Sequence, residues 1–318
     1  MRRALLVHII VASMAVLVLV ASAAAQQPPP RRAGVRTVTI PISIFTKKEL
    51  KENQTEEYVQ ADRLIVTEDK DEQEILSIRS VANSPLTIAL LIQEDLTSTF
   101  NLQIPEIQQF IRELPRGTRV MIGYIRAGTV QIRQKFTQDL DKAASSLRIV
   151  AASSALAPRS PYDGVEEILS RFDAVPSGRR AILLFSDGLD TSSGTNPASI
   201  LKSFDMERAA LKAQRRSIAV YSFYSPTVIT DGSNSVLIGA AQGALQQLSD
   251  QTGGRAFYQG MIAPISYVPY FRDLNVSLNR QFALTYLSTH MNKGYHNVTV
   301  QSTNPEIKIE HPKGYYFR

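Results

Sequence analysis

Arg179-Arg-Ala-Ile-Leu-Leu-Phe-Ser186-Asp187-Gly188-Leu189-Asp190-Thr191-Ser192 is the stretch on which the reading of this chain turns. It opens as an apolar run and closes in carboxylates, a glycine and hydroxyl side chains. A continuous apolar run of this length reads as a strand buried on both faces, which belongs in a parallel sheet covered by helices. Leu86-Thr-Ile-Ala-Leu-Leu-Ile-Gln93 upstream and Ile218-Ala-Val-Tyr-Ser-Phe-Tyr224 downstream have the same character. Between them Ile104, Ile107, Phe110, Ile111 and Leu114 fall at helical spacing, with Pro105 suited to a first turn. Further helices are predicted over 140–149, 162–172, 199–216, 236–251 and 267–278. Ala127-Gly128 joins two strand-like runs as a hairpin, and Gly253-Gly254 stops a helix before a short strand at 255–258. Alternation of this kind predicts a Rossmann-like α/β domain over 84–281, a doubly wound and mostly parallel sheet.

The flanks read differently. In the segment 36–83, Val38, Ile40, Ile42 and Ile44 alternate with polar residues or proline, the period of a half-buried strand. Asp69-Lys-Asp-Glu72 then reads as the turn of a second hairpin, and Asn83-Ser84-Pro85 marks the boundary. Strand alternation returns in a C-terminal β appendage, 282–318. Two small β-rich modules are thus expected around the α/β domain, with pairing between them left open. At the N-terminus, Arg2-Arg3 precede an apolar run ending in Ala23-Ala24-Ala25, the small residues of a signal-peptidase site. Residues 1–25 are expected to be a signal peptide and 26–35 a linker. The alternative is an uncleaved membrane anchor over 4–25. Either reading places the remainder outside the cytoplasm, in the periplasm or beyond.

Hydrophobic residues at 44% and charged residues at 20% describe an ordinary globular chain with a core. The formal charge is +6; without Arg2 and Arg3 it falls to 33 basic against 29 acidic residues, or +4. With no basic stripe, that balance does not point to nucleic acid. The absence of cysteine excludes disulfides, thiolate catalysis and cysteine-bound zinc. Beyond His8 the only histidines are His290, His296 and His311, so a conventional histidine base has few candidates.

The strand ending in Ser186-Asp187-Gly188 resembles the fourth-strand motif of von Willebrand factor A domains, and Thr252-Gly-Gly-Arg-Ala-Phe257 is similar to that family's turn into its last strand. Pro115-Arg-Gly-Thr-Arg-Val120 resembles the turn into its second strand. Together with the flanks and the terminal Pro312-Lys-Gly-Tyr-Tyr316, the order of elements resembles a family of secreted bacterial A-domain proteins first defined in Acidobacteria. The resemblance implies a site for magnesium or calcium built from Asp-x-Ser-x-Ser after the first strand, a threonine in the next loop and an aspartate after the fourth.

This sequence departs from that pattern. Gln93 stands where the first aspartate belongs, followed by Glu94 and Asp95, and Arg159 takes the threonine place, with Ser160 beside it. Only Asp187 is kept. A guanidinium repels a cation and pairs with carboxylates, so Arg159 is expected to bridge Asp187 to Glu94 or Asp95 without metal. The fallback is a cation held in a shifted register by Asp95, Thr97, Thr99 and Asp187. The expected function is a non-enzymatic protein-binding or scaffold role without a cofactor. Its partner, another protein, would meet the crevice of Gln93, Glu94, Asp95, Thr97, Arg159, Ser160 and Asp187, with Thr191, Ser192, Ser193 and Asn196 on the rim. Two enzymatic alternatives stand behind it. One is a nucleotide-using loop at 186–193 that resembles ATP pyrophosphatases; the other is a hydrolase using Ser160 or Ser186 with a C-terminal histidine.

Overall fold

The computed structural model describes residues 34–46, 64–81, 83–151, 160–176, 178–194, 203–231 and 234–317. The expected leader at 1–25, most of the linker, Arg159 and Asn196 lie outside those residues. The chain divides into Met1–Val35 and Arg36–Arg318, and both sheets belong to the second unit.

The apolar runs form a six-stranded sheet. Its strands are β4 (Leu86–Gln93), β5 (Arg119–Arg126), β6 (Thr129–Thr137), β7 (Arg179–Ser186), β8 (Ala219–Tyr224) and β9 (Ala256–Phe257). They lie in the order β6-β5-β4-β7-β8-β9, parallel except for the β5–β6 hairpin. Every residue of β4 and β8 is buried, as both-face burial demands. Side chains alternate between two cores. Ile88, Leu90, Ile92, Phe185 and Phe223 meet α1 (Ile104–Arg112), α2 (Leu140–Ser145) and α6 (Val268–Asn279). Ala89, Leu91, Ile182 and Leu184 meet α3 (Pro161–Leu169), α4 (Phe204–Arg215) and α5 (Ser235–Thr252) on the other face. Phe185, Phe223 and Phe257 stack across three neighbouring strands, with ring centroids 4.6 and 4.9 Å apart.

Local chemistry sets the helix ends. Asp139, Ser203 and Asn234 cap α2, α4 and α5 by accepting the amides of Lys142, Met206 and Leu237. Gly253, at φ 82°, closes α5 in the left-handed conformation. The helix predicted over 140–149 stops at Ser145. There the Tyr124 hydroxyl accepts the Arg148 amide and donates to its carbonyl, both at 2.8 Å, so the backbone is drawn to the sheet. The predicted 162–172 helix tightens into a 3₁₀ turn from Ser170.

Strands from both flanks make one antiparallel sheet. They are β1 (Arg36–Thr46), β2 (Leu64–Glu68), β3 (Asp71–Ser80), β10 (Gln281–Ser288), β11 (Gly294–Ser302), β12 (Ile307–Glu310) and β13 (Gly314–Phe317). The order is β12-β1-β10-β3-β2-β11-β13, so β1 sits between two C-terminal strands and the β2–β3 hairpin between β10 and β11. The alternation predicted for β1 matches its register, with Val38 facing Tyr286 and Ile40 facing Leu284 in a core shared with Val66, Val298 and Val300. Arg255, at the entrance to β9, pairs with Glu310 of β12 and ties this sheet to the α/β domain.

Candidate functional site

Strand order reverses between β4 and β7, and the region beyond their carboxyl ends is where the expected crevice falls. Gln93 and Ser186 end those strands side by side. Gln93 Oε1 accepts from the Ser186 hydroxyl and, at 3.2 Å, from the Asp187 amide. Ser186 Oγ in turn accepts the Gly188 amide at 2.9 Å. Gly188 is at φ +74°, and a Cβ there would lie 2.5 Å from the Ala241 carbonyl oxygen, so the turn that aims Asp187 needs glycine.

Asp187 is fully buried. Its Oδ1 accepts the Leu189 amide at 3.0 Å, and Oδ2 accepts the hydroxyls of Thr227 at 2.7 Å and Thr230 at 3.4 Å. Those threonines arrive from the loop after β8, which Thr97 anchors by donating its amide to the Pro226 carbonyl. The Tyr162 hydroxyl donates to Gly188 O at 2.7 Å and brings the start of α3 to the crevice. Burial pushes this phenol well above its ordinary pKa, and the carboxylates of Asp187 and Asp190 add to the effect. Asp190 accepts the Ser192 amide and hydroxyl at 3.0 and 2.6 Å and the Ser203 hydroxyl, which fixes the rim to α4.

The residues singled out from the sequence separate into groups. Gln93, Ser160 and Asp187 are buried around the crevice floor. Gln93 Nε2 and Ser160 Oγ have no hydrogen-bond partner among the described residues. Glu94 turns aside to Arg148 and Arg126, the second at 3.7 Å. Asp95 is half-buried. Thr97 and Thr99 bond to each other through hydroxyls 2.7 Å apart on the exposed turn. The Ser186 hydroxyl is engaged with Gln93, while His296 lies on the seven-stranded sheet and His290 and His311 in its connections. Thr227, Thr230 and Arg148 were missed from the sequence. The first two follow β8 and give no local sign of reaching Asp187, and Arg148 looks like an ordinary exposed cation.

Three loops beside the crevice carry exposed apolar side chains. Leu102 is 77%, Ile149 69% and Ile265 90% exposed. Asn101 exchanges two hydrogen bonds with the backbone of Val150, and Gln103 donates to the carbonyls of Pro264 and Ile265. These bonds stitch the three loops together. A second polar group, Glu68, Asp69 and His296, gathers on the seven-stranded sheet with ligand-type atoms within 4.8 Å of one another. It too was missed, because its members are far apart in sequence and Asp69 reads as a turn residue. Among the described residues no helix is long and apolar enough to cross a membrane.

No protein-family model and no curated protein matches the chain. Solved structures do. An aerotolerance-related membrane protein from Bacteroides fragilis is 12% identical at a TM-score of 0.45, over 61% of this chain and 98% of that one. BatB from Bacteroides thetaiotaomicron is 12% identical at 0.41, over 61% and 96%. A von Willebrand factor type A protein from Catenulispora acidiphila is 10% identical at 0.38, over 83% and 76%. Residues 86–279, with helices on both faces of the parallel sheet and the Ser186-Asp187-Gly188 turn at its switch point, form a Rossmann-like α/β domain similar to these structures.

Proposed function

We propose that this chain is an exported, non-enzymatic binding or scaffold protein that takes another protein at the crevice beyond β4 and β7, without a divalent cation there. The observation that carries the reading is the use made of Asp187. Both its oxygens accept hydrogen bonds from the chain's own Leu189, Thr227 and Thr230, with the neutral Gln93 amide alongside in place of a second carboxylate. A hard cation prefers six or more oxygen ligands, several of them anionic, and Glu94 is drawn off by two arginines. The stitched apolar loops supply what the metal does not. Leu102, Ile149 and Ile265 offer contact area to an apolar segment of a partner, and exposed clusters of this kind mark protein-binding faces. The leader-like segment 1–25 supports export.

Two measurements test this. Magnesium and calcium added to chelator-treated protein are expected to leave the melting temperature unchanged, since an ion that binds only the folded state must raise it. Capture of a partner from envelope fractions is expected to survive chelator and to be lost in Leu102→Asp and Ile265→Asp, while Leu76→Asp on the other sheet keeps it. A magnesium-dependent rise that disappears in Asp95→Asn would replace this reading with cation-dependent adhesion through the shifted Asp95, Thr97, Thr99 and Asp187 site.

A further inference from the structure

At one end of the seven-stranded sheet, the β2–β3 turn meets the connection between β10 and β11. Glu68 closes β2 with its side chain fully buried. Asp69 and Lys70 form the two-residue turn, both at positive φ, and Asp69 is held to β11 by the Asn297 amide at 2.9 Å. His290 follows β10, and His296 lies within β11.

The proton positions on His296 can be read from its neighbours. Nε2 lies 2.7 Å from the Asn292 carbonyl, which can only accept, so Nε2 carries a hydrogen. In the neutral ring Nδ1 then presents a lone pair, yet it faces Asp69 Oδ2 at 2.8 Å and Glu68 Oε1 at 3.3 Å, two further acceptors. Three lone-pair atoms converging in this way are a set that a metal ion can hold. His290 repeats the arrangement: Nε2 is 3.2 Å from Asp71 Oδ2, while the buried Nδ1 has no hydrogen-bond partner and lies 3.9 Å from Glu68 Oε1. Glu68 Oε2 is likewise buried and without a hydrogen-bond partner among the described residues. Glu68 Oε1, by contrast, already accepts the hydroxyls of Ser288 and Tyr315 at 2.9 and 2.6 Å and faces Arg36 at 3.4 Å. The open lone pairs are therefore one oxygen of Glu68, one of Asp69 and the two Nδ1 atoms.

We propose that Glu68, Asp69, His290 and His296 form a structural zinc site. The donor set is two imidazoles and two carboxylates, a mixture that suits zinc and disfavours the harder magnesium and calcium. Ligands on a tetrahedral zinc, with bonds of about 2.0 Å, stand about 3.3 Å apart; Asp69 Oδ2 and His296 Nδ1 are 2.8 Å apart, and the ligand-type atoms of Glu68, Asp69 and His296 all lie within 4.8 Å of one another. Each ring commits its other nitrogen to a carbonyl or carboxylate, the usual support of a zinc-bound histidine. Charge also balances: Glu68, Asp69 and Asp71 against Arg36 leave two negative charges for a divalent ion. Asp71, with its side chain 72% exposed, opens the site to solvent. The ion would fasten the N-terminal β2–β3 hairpin to the C-terminal strands of the same sheet. It lies on a different sheet from the crevice and is independent of what binds there.

The full chain, stripped with chelator, is titrated with zinc by calorimetry and followed by thermal denaturation. One equivalent is expected to bind and raise the melting temperature, and cobalt(II) is expected to give the visible absorption of a four-coordinate site. His290→Gln keeps an amide donor near Asp71 but lacks the open ring nitrogen. This variant is expected to keep the metal-free melting temperature and bind zinc roughly 100-fold more weakly or worse. Asp95→Asn, which touches only the crevice, should keep the full zinc response. A stripped chain that takes up no zinc would overturn the proposal. An undiminished response in His290→Gln would overturn the site as drawn.

Discussion

Asp187 and His311 show how a buried polar residue is defined by its donors. In the crevice, the Asp187 carboxylate receives two threonine hydroxyls and a main-chain amide. His311 is the acceptor case. Its Nδ1 donates to the Pro312 carbonyl at 2.9 Å, and Nε2 accepts the Val300 amide at 3.3 Å, an arrangement only the neutral ring can make. Burial pushes its pKa down from 6.5 to about 4, against the opposing pull of the Pro312 carbonyl. The unfolded chain therefore binds the proton more readily than the folded one. The stabilisation is complete above pH 6.5 and is lost as pH falls from there through 4, by roughly 3 kcal/mol. Urea titrations across that range should show the loss, and His311→Gln, which keeps an acceptor but does not titrate, should flatten the slope by that share.

At the scale of elements, the crevice depends on how β7 ends. The strand must turn at once so that Asp187 points inward, and Gly188 does this in the left-handed region beneath α5. Gly188→Ala would strain the backbone and press its Cβ against the Ala241 carbonyl. We expect a cost of about 2 kcal/mol or more, read as a lower urea midpoint with an unchanged m-value. The central strands β4, β5, β7 and β8 were legible because burial on both faces writes a continuous apolar run, and the helices because their apolar faces recur at helical spacing. Less legible was the shortened α2. Its stop is set by the Tyr124 hydroxyl on a neighbouring strand, and nothing local to 140–149 announces it.

For the whole molecule, the joint between the two sheets decides how it unfolds. Arg255 pairs with Glu310, which also accepts the Ser277 hydroxyl at 3.0 Å, and lies 3.4 Å from Asp273. Both partners of the main pair are largely buried. Removing one leaves an uncompensated charge, so Arg255→Met is expected to cost about 3–5 kcal/mol. The double change Arg255→Met with Glu310→Gln should recover much of it. If the sheets are coupled through this joint, calorimetry of the unaltered chain gives one transition and Arg255→Met separates it into two. A single sharp transition in both would show that the pair does not govern the coupling.

By itself the sequence determined the α/β domain, its strand rhythm, the Ser186-Asp187-Gly188 turn and the neutral Gln93 at the end of the first strand of that domain. Each of these is written in neighbouring residues, through burial pattern, turn chemistry or ligand type. Only the tertiary structure decided that strands from both flanks share one sheet, that Thr227 and Thr230 receive Asp187, and that Glu68 and Asp69 meet His296 across more than two hundred residues. Periodicity reports which face of a strand is buried. It carries no record of which distant strand lies alongside, and those partners fix where a carboxylate finds its donors.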